Sequence, residues 1–172
     1  MKAFFIAATV VLSTASPAAA EVVSATADSF ILRFSAPVSA DPERIYTAIG
    51  QVGLWWDGGH TYSGSAVNMT MDLKPGGCFC EALPGGGIAH GEVIAAWPER
   101  MVRLNAPLGP LQATDPAAVL TFSWSQPTEG EGRTLTATYA VTGAGVGALA
   151  QPVDGVMGIQ FDRLARFIEA GR

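Results

Sequence analysis

"LAQPVDGVMGIQFDRLARFIEAGR", residues Leu149 to Arg172, closes the chain. Apolar side chains fall at positions 149, 153, 156, 157, 161, 164, 167 and 168, the spacing of one helix face. Asp154, Asp162, Arg163, Arg166 and Glu169 lie off that stripe. The segment therefore predicts a long amphipathic helix whose apolar face needs a partner. Gly155 and Gly158 cost helix stability, but they thin the helix where a neighbour can pack closely. Gly171 suits its C-terminal end.

The residues upstream supply that partner. Phe30, Leu32 and Phe34 alternate with Ile31, Arg33 and Ser35, which reads as a first strand. Asp41-Pro42-Glu43 then opens a helix: Asp41 can cap, Pro42 suits the first turn, and Glu43 complements the dipole. Ile45, Ala48 and Ile49 give that helix an apolar face up to Gly50, and Gln51 to Trp56 adds a short second helical turn. Strands follow at hairpin spacing: Met69 to Leu73, Cys78 to Leu83, His90 to Trp97 and Met101 to Asn105. Lys74-Pro75-Gly76-Gly77, Pro84 to Gly87 and Pro98-Glu99-Arg100 are the turns between them. Pro107 to Pro116 is a longer connection. Leu120, Phe122 and Trp124 form the clearest half-buried strand, and Leu135, Ala137, Tyr139 and Val141 return after a turn at Thr128 to Gly132. The expected fold is α+β. A curved antiparallel sheet wraps the long C-terminal helix, two short helices follow the first strand, and the imperfect fit of helix to sheet leaves an apolar cavity.

The N-terminus reads differently. Lys2 precedes an apolar run from Ala3 to Leu12, and Ala18-Ala19-Ala20 has the form that signal peptidase accepts. Residues 1–20 are expected to be a cleaved secretory signal, leaving residues 21–172 as one domain of 152 residues. The run is too short to span a bilayer, and no other stretch is long and apolar enough. Export to the bacterial periplasm or beyond is the expectation. The formal charge of −5 becomes −6 once Lys2 is lost. An acidic chain without a Lys/Arg run argues against nucleic acid and anionic membrane surfaces as partners.

Cys78 and Cys80 are the only cysteines. In an extended strand, residues two apart stand about 7 Å apart with parallel side chains, at the limit of disulfide reach. The pair reads as two buried thiols, with a disulfide possible only if the strand distorts. A metal role is weak, because His60 and His90 are the only other soft ligands and a closed site needs four.

Taken in order, the strand, "DPERIY" (Asp41–Tyr46), "LWW" (Leu54–Trp56), "HTYSG" (His60–Gly64), "PGGCFCE" (Pro75–Glu81), "GPLQ" (Gly109–Gln112) and the final helix resemble the SRPBCC or START-like superfamily, the helix-grip fold. The likeness is strongest to the bacterial branch related to the heat-shock ATPase activator and polyketide cyclases, and it covers Ser29 to Gly171. It implies a deep apolar cavity between sheet and C-terminal helix. The fold hosts carriers, cyclases, hydrolases and co-chaperones, so it carries over no fixed catalytic set.

The segment Gly53 to Ala66 borders the mouth of such a cavity. Adjacent on a helical turn, Trp55 and Trp56 point about 100° apart, so one is expected to plug the core and the other to line the cavity. His60 and Tyr62 bring polar tips to an apolar rim. Phe79, Phe122 and Trp124 are further candidates for the lining. Glu81 and His90 face each other across the Pro84 to Gly87 hairpin. If Phe79 points inward, period two sends Glu81 inward as well, where with His90 or His60 it could transfer protons. In the opposite register Cys78 and Cys80 line the cavity instead. Gly143, Gly145 and Gly147 resemble part of a dinucleotide loop, but no βαβ unit follows, so they read as a flexible entry to the last helix. No nucleophile-elbow, zincin or Walker motif occurs, and no cofactor is expected.

Three readings follow. The first is an exported module that binds a small apolar or aromatic molecule. The second is a cyclase- or hydrolase-type enzyme using Glu81, His90 or His60 as acid/base groups. The third, an ATPase-activator role, conflicts with export, since that partner is cytosolic. The binding module is favoured, because it requires only the cavity and its aromatic lining.

Overall fold

The computed structural model describes residues 19–126 and 132–171. The turn expected at Thr128 to Gly132 falls mostly outside these residues. Eight strands form one antiparallel sheet in the order β1-β2-β8-β7-β6-β5-β4-β3. They are β1 (Ala19–Ala25), β2 (Ser29–Val38), β3 (Met69–Met71), β4 (Cys78–Leu83), β5 (Gly86–Trp97), β6 (Met101–Asn105), β7 (Ala117–Trp124) and β8 (Arg133–Thr142). Helices α1 (Pro42–Gly50) and α2 (Val52–Trp55) follow β2, and α3 (Ala150–Glu169) closes the chain. This is the α+β helix-grip architecture. No helix among the described residues is long and apolar enough to cross a membrane.

The inner face of the sheet follows from alternation. Phe30, Leu32 and Phe34 on β2, Leu120 and Phe122 on β7, and Leu135 and Tyr139 on β8 are all buried. Across that face α3 presents Met157, Gln160, Phe161, Leu164 and Ile168. Phe161 stacks on Phe34 with ring centroids 5.9 Å apart. Gly158 meets the same Phe34 ring, and a Cβ there would stand 3.6 Å from it. α1 begins as its sequence predicts. The Arg44 amide donates to Asp41 Oδ1 at 2.7 Å, and Pro42 occupies the first turn.

Three expectations are corrected. First, β2 is not the first strand, because β1 pairs with it antiparallel along the sheet edge. Most of β1 is exposed, so it lacks the apolar alternation that marks an inner strand. Glu21 pairs with Arg33 and Ala25 with Phe30, so a chain starting at Glu21 keeps that stretch of pairing.

Second, Cys78 and Cys80 form a disulfide rather than two buried thiols. They are half-buried on the outer face while Phe79 and Glu81 point inward. The β4–β5 register slips between Phe79 and Cys80, which pair with Gly91 and Ala89, and the two Cα atoms stand 5.4 Å apart. The strand is thus distorted at the step where bridging needs it. No thiolate is left to ligate a metal.

Third, the glycine segment before α3 is tied down rather than flexible. The Gly143 amide donates to Asp28 O at 2.9 Å, Gly145 to Asp28 Oδ1 at 2.8 Å and Gly147 to Ala27 O at 3.0 Å. Gly145 has φ 72°, in the left-handed region, and a Cβ on Gly147 would collide with the Thr26 carbonyl.

These two kinds of glycine predict opposite effects. Gly147→Ala forces backbone apart and is expected to destabilise the protein by about 2 kcal/mol. Gly155→Ala meets open space inside a helix, and should stabilise it by about 0.5–1 kcal/mol. Urea denaturation of both variants checks the sign of each.

Candidate functional site

A cavity of about 270 Å³ lies between the N-terminal half of α3, the loop after α2 and the β6–β7 loop. α3 and the turn before it supply Leu149, Pro152, Val153, Val156 and Met157. The β6–β7 loop supplies Leu108 and Pro110. Trp56 forms a third wall, while His60, Thr61, Tyr62 and His90 bring the polar atoms. The volume lies just below the usual range for drug-sized ligands, which suits a molecule of one or two rings.

Local rules place each wall. Gly53 lets α2 lie against the loop ahead, since a Cβ there would be 3.0 Å from both Ala66 O and Met69 O. Arg163 on α3 then caps the end of α2, donating from Nε to Trp55 O at 2.6 Å and from Nη2 to Trp56 O at 3.3 Å. A cation at helix C-terminal carbonyls is favourable. The two tryptophans are split accordingly. Trp55 is buried, donates from Nε1 to Ala48 O at 2.8 Å and lies edge-on to Phe122. Trp56 faces the cavity and donates to His60 O at 3.0 Å.

The turn Gly58–His60 is capped by Asp57, whose Oδ1 accepts from the Gly59 amide at 3.2 Å. That amide chiefly, with help from His60 and Arg163, holds the Asp57 carboxyl below its ordinary range against the opposing effect of burial. Asp57 Oδ2 lies 3.1 Å from His60 Nδ1, and Gln160 Nε2 lies 3.3 Å from the same nitrogen. Gln160 Oε1 is already committed to the Asp57 amide at 2.8 Å. One ring nitrogen cannot donate to a carboxylate and accept from an amide at once. The charge-assisted bond to Asp57 is the stronger, so Nδ1 carries the proton.

Glu81 and His90 form the inner pair. Glu81 is 1% exposed and His90 5%. Glu81 Oε2 accepts from the Tyr62 amide at 3.1 Å and lies 2.9 Å from His90 Nε2, while Oε1 accepts from the Ser63 amide at 2.5 Å. Burial opposes the charge, but hydrogen bonds from Ser63, Tyr62 and His90 outweigh it and lower the pKa from 4.5 to about 2. A carboxylate this acidic is a weak base at neutral pH. Its work is to tie β4 to the 62–63 loop and to orient the His90 ring. That ring sits between Phe79, at 5.1 Å, and Tyr62, at 5.8 Å between centroids.

The remaining wall is pinned from the sheet. Tyr139 donates to Ala106 O at 2.7 Å and its oxygen accepts from the Leu108 amide at 3.2 Å. Burial raises its pKa. At the mouth, Tyr62 donates to Gln112 Oε1 at 3.4 Å, and Gln112 Nε2 donates to Ala89 O at 2.8 Å.

Of the residues singled out from sequence, Trp56, His60, Tyr62 and His90 meet in this cavity. Glu81 stands behind His90. Trp55, Phe79, Phe122 and Trp124 are core residues and do not line it. Trp55 borders a separate outer depression with Arg163 and Phe167. The cavity lies nearer the start of α3 than its middle, which leaves the ring of Trp124 away from it. Gln160, Leu108, Pro110 and Gln112 were missed. Gln160 could have been found, because it sits three residues after Met157 and four before Leu164, a polar side chain on an apolar stripe.

No protein-family model and no curated protein matches the sequence. Solved structures are similar in fold. A conserved protein of unknown function from Enterococcus faecalis is 10% identical with a TM-score of 0.59, over 88% of this chain and 77% of that one. The Aha1 dimer from Colwellia psychrerythraea is 16% identical with a TM-score of 0.56, over 83% and 98%. The di-domain ARO/CYC protein StfQ of the steffimycin biosynthetic pathway is 13% identical with a TM-score of 0.55, over 83% of this chain and 50% of that one. The chain thus shares the helix-grip fold of these structures.

The Glu81 shift predicts an acid limb. Its stabilisation is complete above about pH 4.5 and is lost as pH falls through about 2. The loss is on the order of 3 kcal/mol, at 1.36 kcal/mol per unit. Denaturant titrations at a series of acid pH values should show this slope in the wild type and a flatter one in Glu81→Gln.

Proposed function

We propose that this protein is an exported module that binds a small apolar or aromatic molecule in the cavity beside α3. The observation that carries the reading is the cavity itself: one half-open wall set, apolar over most of its surface, with a few convergent polar groups. Binding sites have that composition. Export is supported by the Lys2 and Ala3–Leu12 pattern with its Ala18-Ala19-Ala20 site. The Cys78–Cys80 disulfide fits an oxidising compartment.

A second reading, an acid/base enzyme in the same cavity, is favoured by the buried Glu81–His90 pair. In that reading Glu81 orients and His90 handles the proton, because the carboxylate itself is too acidic to act as the base. The ATPase-activator reading has only a shared fold behind it, that of the Aha1 dimer from Colwellia psychrerythraea.

Native mass spectrometry of protein purified from its own host is the direct test. A discrete extra mass, released on denaturation, supports the binding module; a bare mass shifts weight to the enzyme. Val156→Trp fills the cavity from α3, at a half-buried position on its wall. It should weaken binding of an aromatic probe by about tenfold or more, as expected when a well-packed site is overfilled. Folding, followed by circular dichroism, should be retained.

A further inference from the structure

We infer that the inner end of the cavity is a recognition point for a ligand hydroxyl, with His90 Nδ1 as the acceptor, so that the preferred ligand is an aromatic molecule of phenol type. The inference rests on the cavity being a binding site and names the class of ligand it takes.

The argument begins with what Glu81 can and cannot do. An ionised carboxylate only accepts. His90 Nε2, 2.9 Å from Glu81 Oε2, must therefore carry the proton it donates. In the neutral ring that leaves Nδ1 as a bare acceptor. Nδ1 has no hydrogen-bond partner among the described residues, and it is not among the sealed, unpaired side-chain atoms. It is therefore not sealed off, and the open space beside the ring is the cavity that His90 lines.

The neighbouring donors are committed elsewhere. Thr61 donates its hydroxyl to Gly58 O at 2.8 Å, and Tyr62 donates to Gln112. No protein group is placed to fill the acceptor site, so water or a ligand must. A purely apolar occupant would displace that water and leave a buried acceptor unpaired, which is penalised. An occupant with a hydroxyl at one end avoids the penalty. Sites built this way discriminate strongly against analogues that lack the hydroxyl.

The walls choose the rest of the molecule. Trp56, Tyr62 and the His90 ring are flat faces, and Pro110 and Pro152 add rigid apolar surface. Such walls favour a planar ring over a flexible chain, and the volume suits one or two rings. His90 itself is fixed by Glu81 on one side and by Phe79 and Tyr62 on its faces. The acceptor is therefore preorganised, and binding requires no rotation of the ring.

The test uses 2-naphthol and naphthalene as probes, titrated by calorimetry against the wild type and His90→Phe. Expected is a coupling between the two deletions. The hydroxyl should improve binding to the wild type about tenfold more than to the variant, while naphthalene binds both. A second measurement needs no variant. The chain holds only two histidines, so nitrogen NMR of labelled wild-type protein resolves each ring. His90 should show an unprotonated Nδ1 whose resonance moves on adding 2-naphthol and stays put with naphthalene. Binding of both probes without coupling and without a nitrogen shift would overturn the hydroxyl site and leave the apolar cavity standing. A His90 ring protonated at both nitrogens in the free protein would overturn the acceptor assignment. Failure of both probes to bind would overturn the cavity as a binding site, and the inference with it.

Discussion

One helix has to cover a sheet that is too wide for it. Eight strands at their usual spacing span about 34 Å across the sheet, whereas a helix with its side chains is only about 10–12 Å thick. α3 lies against β1 and β2 and takes further support from α1 and α2. Phe161 on Phe34 anchors it there, and Gly158 lets it settle onto the ring. The rest of the inner face must be closed by loops and short helices. Loops carry backbone polar groups that need partners, so they cannot pack as densely as a helix face. The cavity sits where the start of α3, Trp56 and the β6–β7 loop come near one another without meeting. It is a consequence of the grip, and its walls are the three kinds of element that the grip leaves to share the cover.

Closing a cavity with loops requires devices that hold them, and here these are buried polar groups. Glu81 binds the Tyr62 and Ser63 amides, Tyr139 binds the 106–108 backbone, and Gln160 binds the Asp57 amide. Each would be costly if left alone, since a buried polar group without a partner loses its water for nothing. Each is satisfied by backbone of the loop it restrains. The hydrogen bonds that depress the Glu81 pKa are therefore the same ones that fix the rim, and the acid stability of the protein is tied to the shape of its cavity.

The element order was legible because its signals are local. The cap at Asp41, the apolar stripe of α3 and the alternation in β7 and β8 need nothing beyond their own segments. The face of β4 was not legible. Phe and Cys are both content inside, so the parity of Cys78 to Glu81 has two answers in the sequence. What decides it is long-range: the Tyr62 and Ser63 amides and His90 surround the inward carboxylate. β1 was missed because an exposed edge strand has no inner face to alternate against. Phe122 and Trp124 were placed on the cavity because they face the core, and facing the core is a different property from facing the gap in it. Only the packed positions of α3 and the loops distinguish the two.

The bulge opposite Cys80 links the remaining surprises. Counting back by twos from the buried Val93 sends Gly91 and Ala89 inward and His90 outward. In the structure Phe79 pairs with Gly91 and Cys80 with Ala89, so His90 is the extra residue of β5. A bulge of this kind re-aims a side chain and sharpens the local twist. Here it turns His90 onto Glu81, inside. On the outer face the same step brings Cys78 and Cys80 to a Cα separation that a regular strand does not allow. Gly91 permits it, since a Cβ there would run into Asn105 O and Ala106. A single inserted residue thus places the acceptor in the cavity on one side of the sheet and is matched by a covalent staple on the other. Both features belong to the pairing of two strands, and neither belongs to the sequence of one.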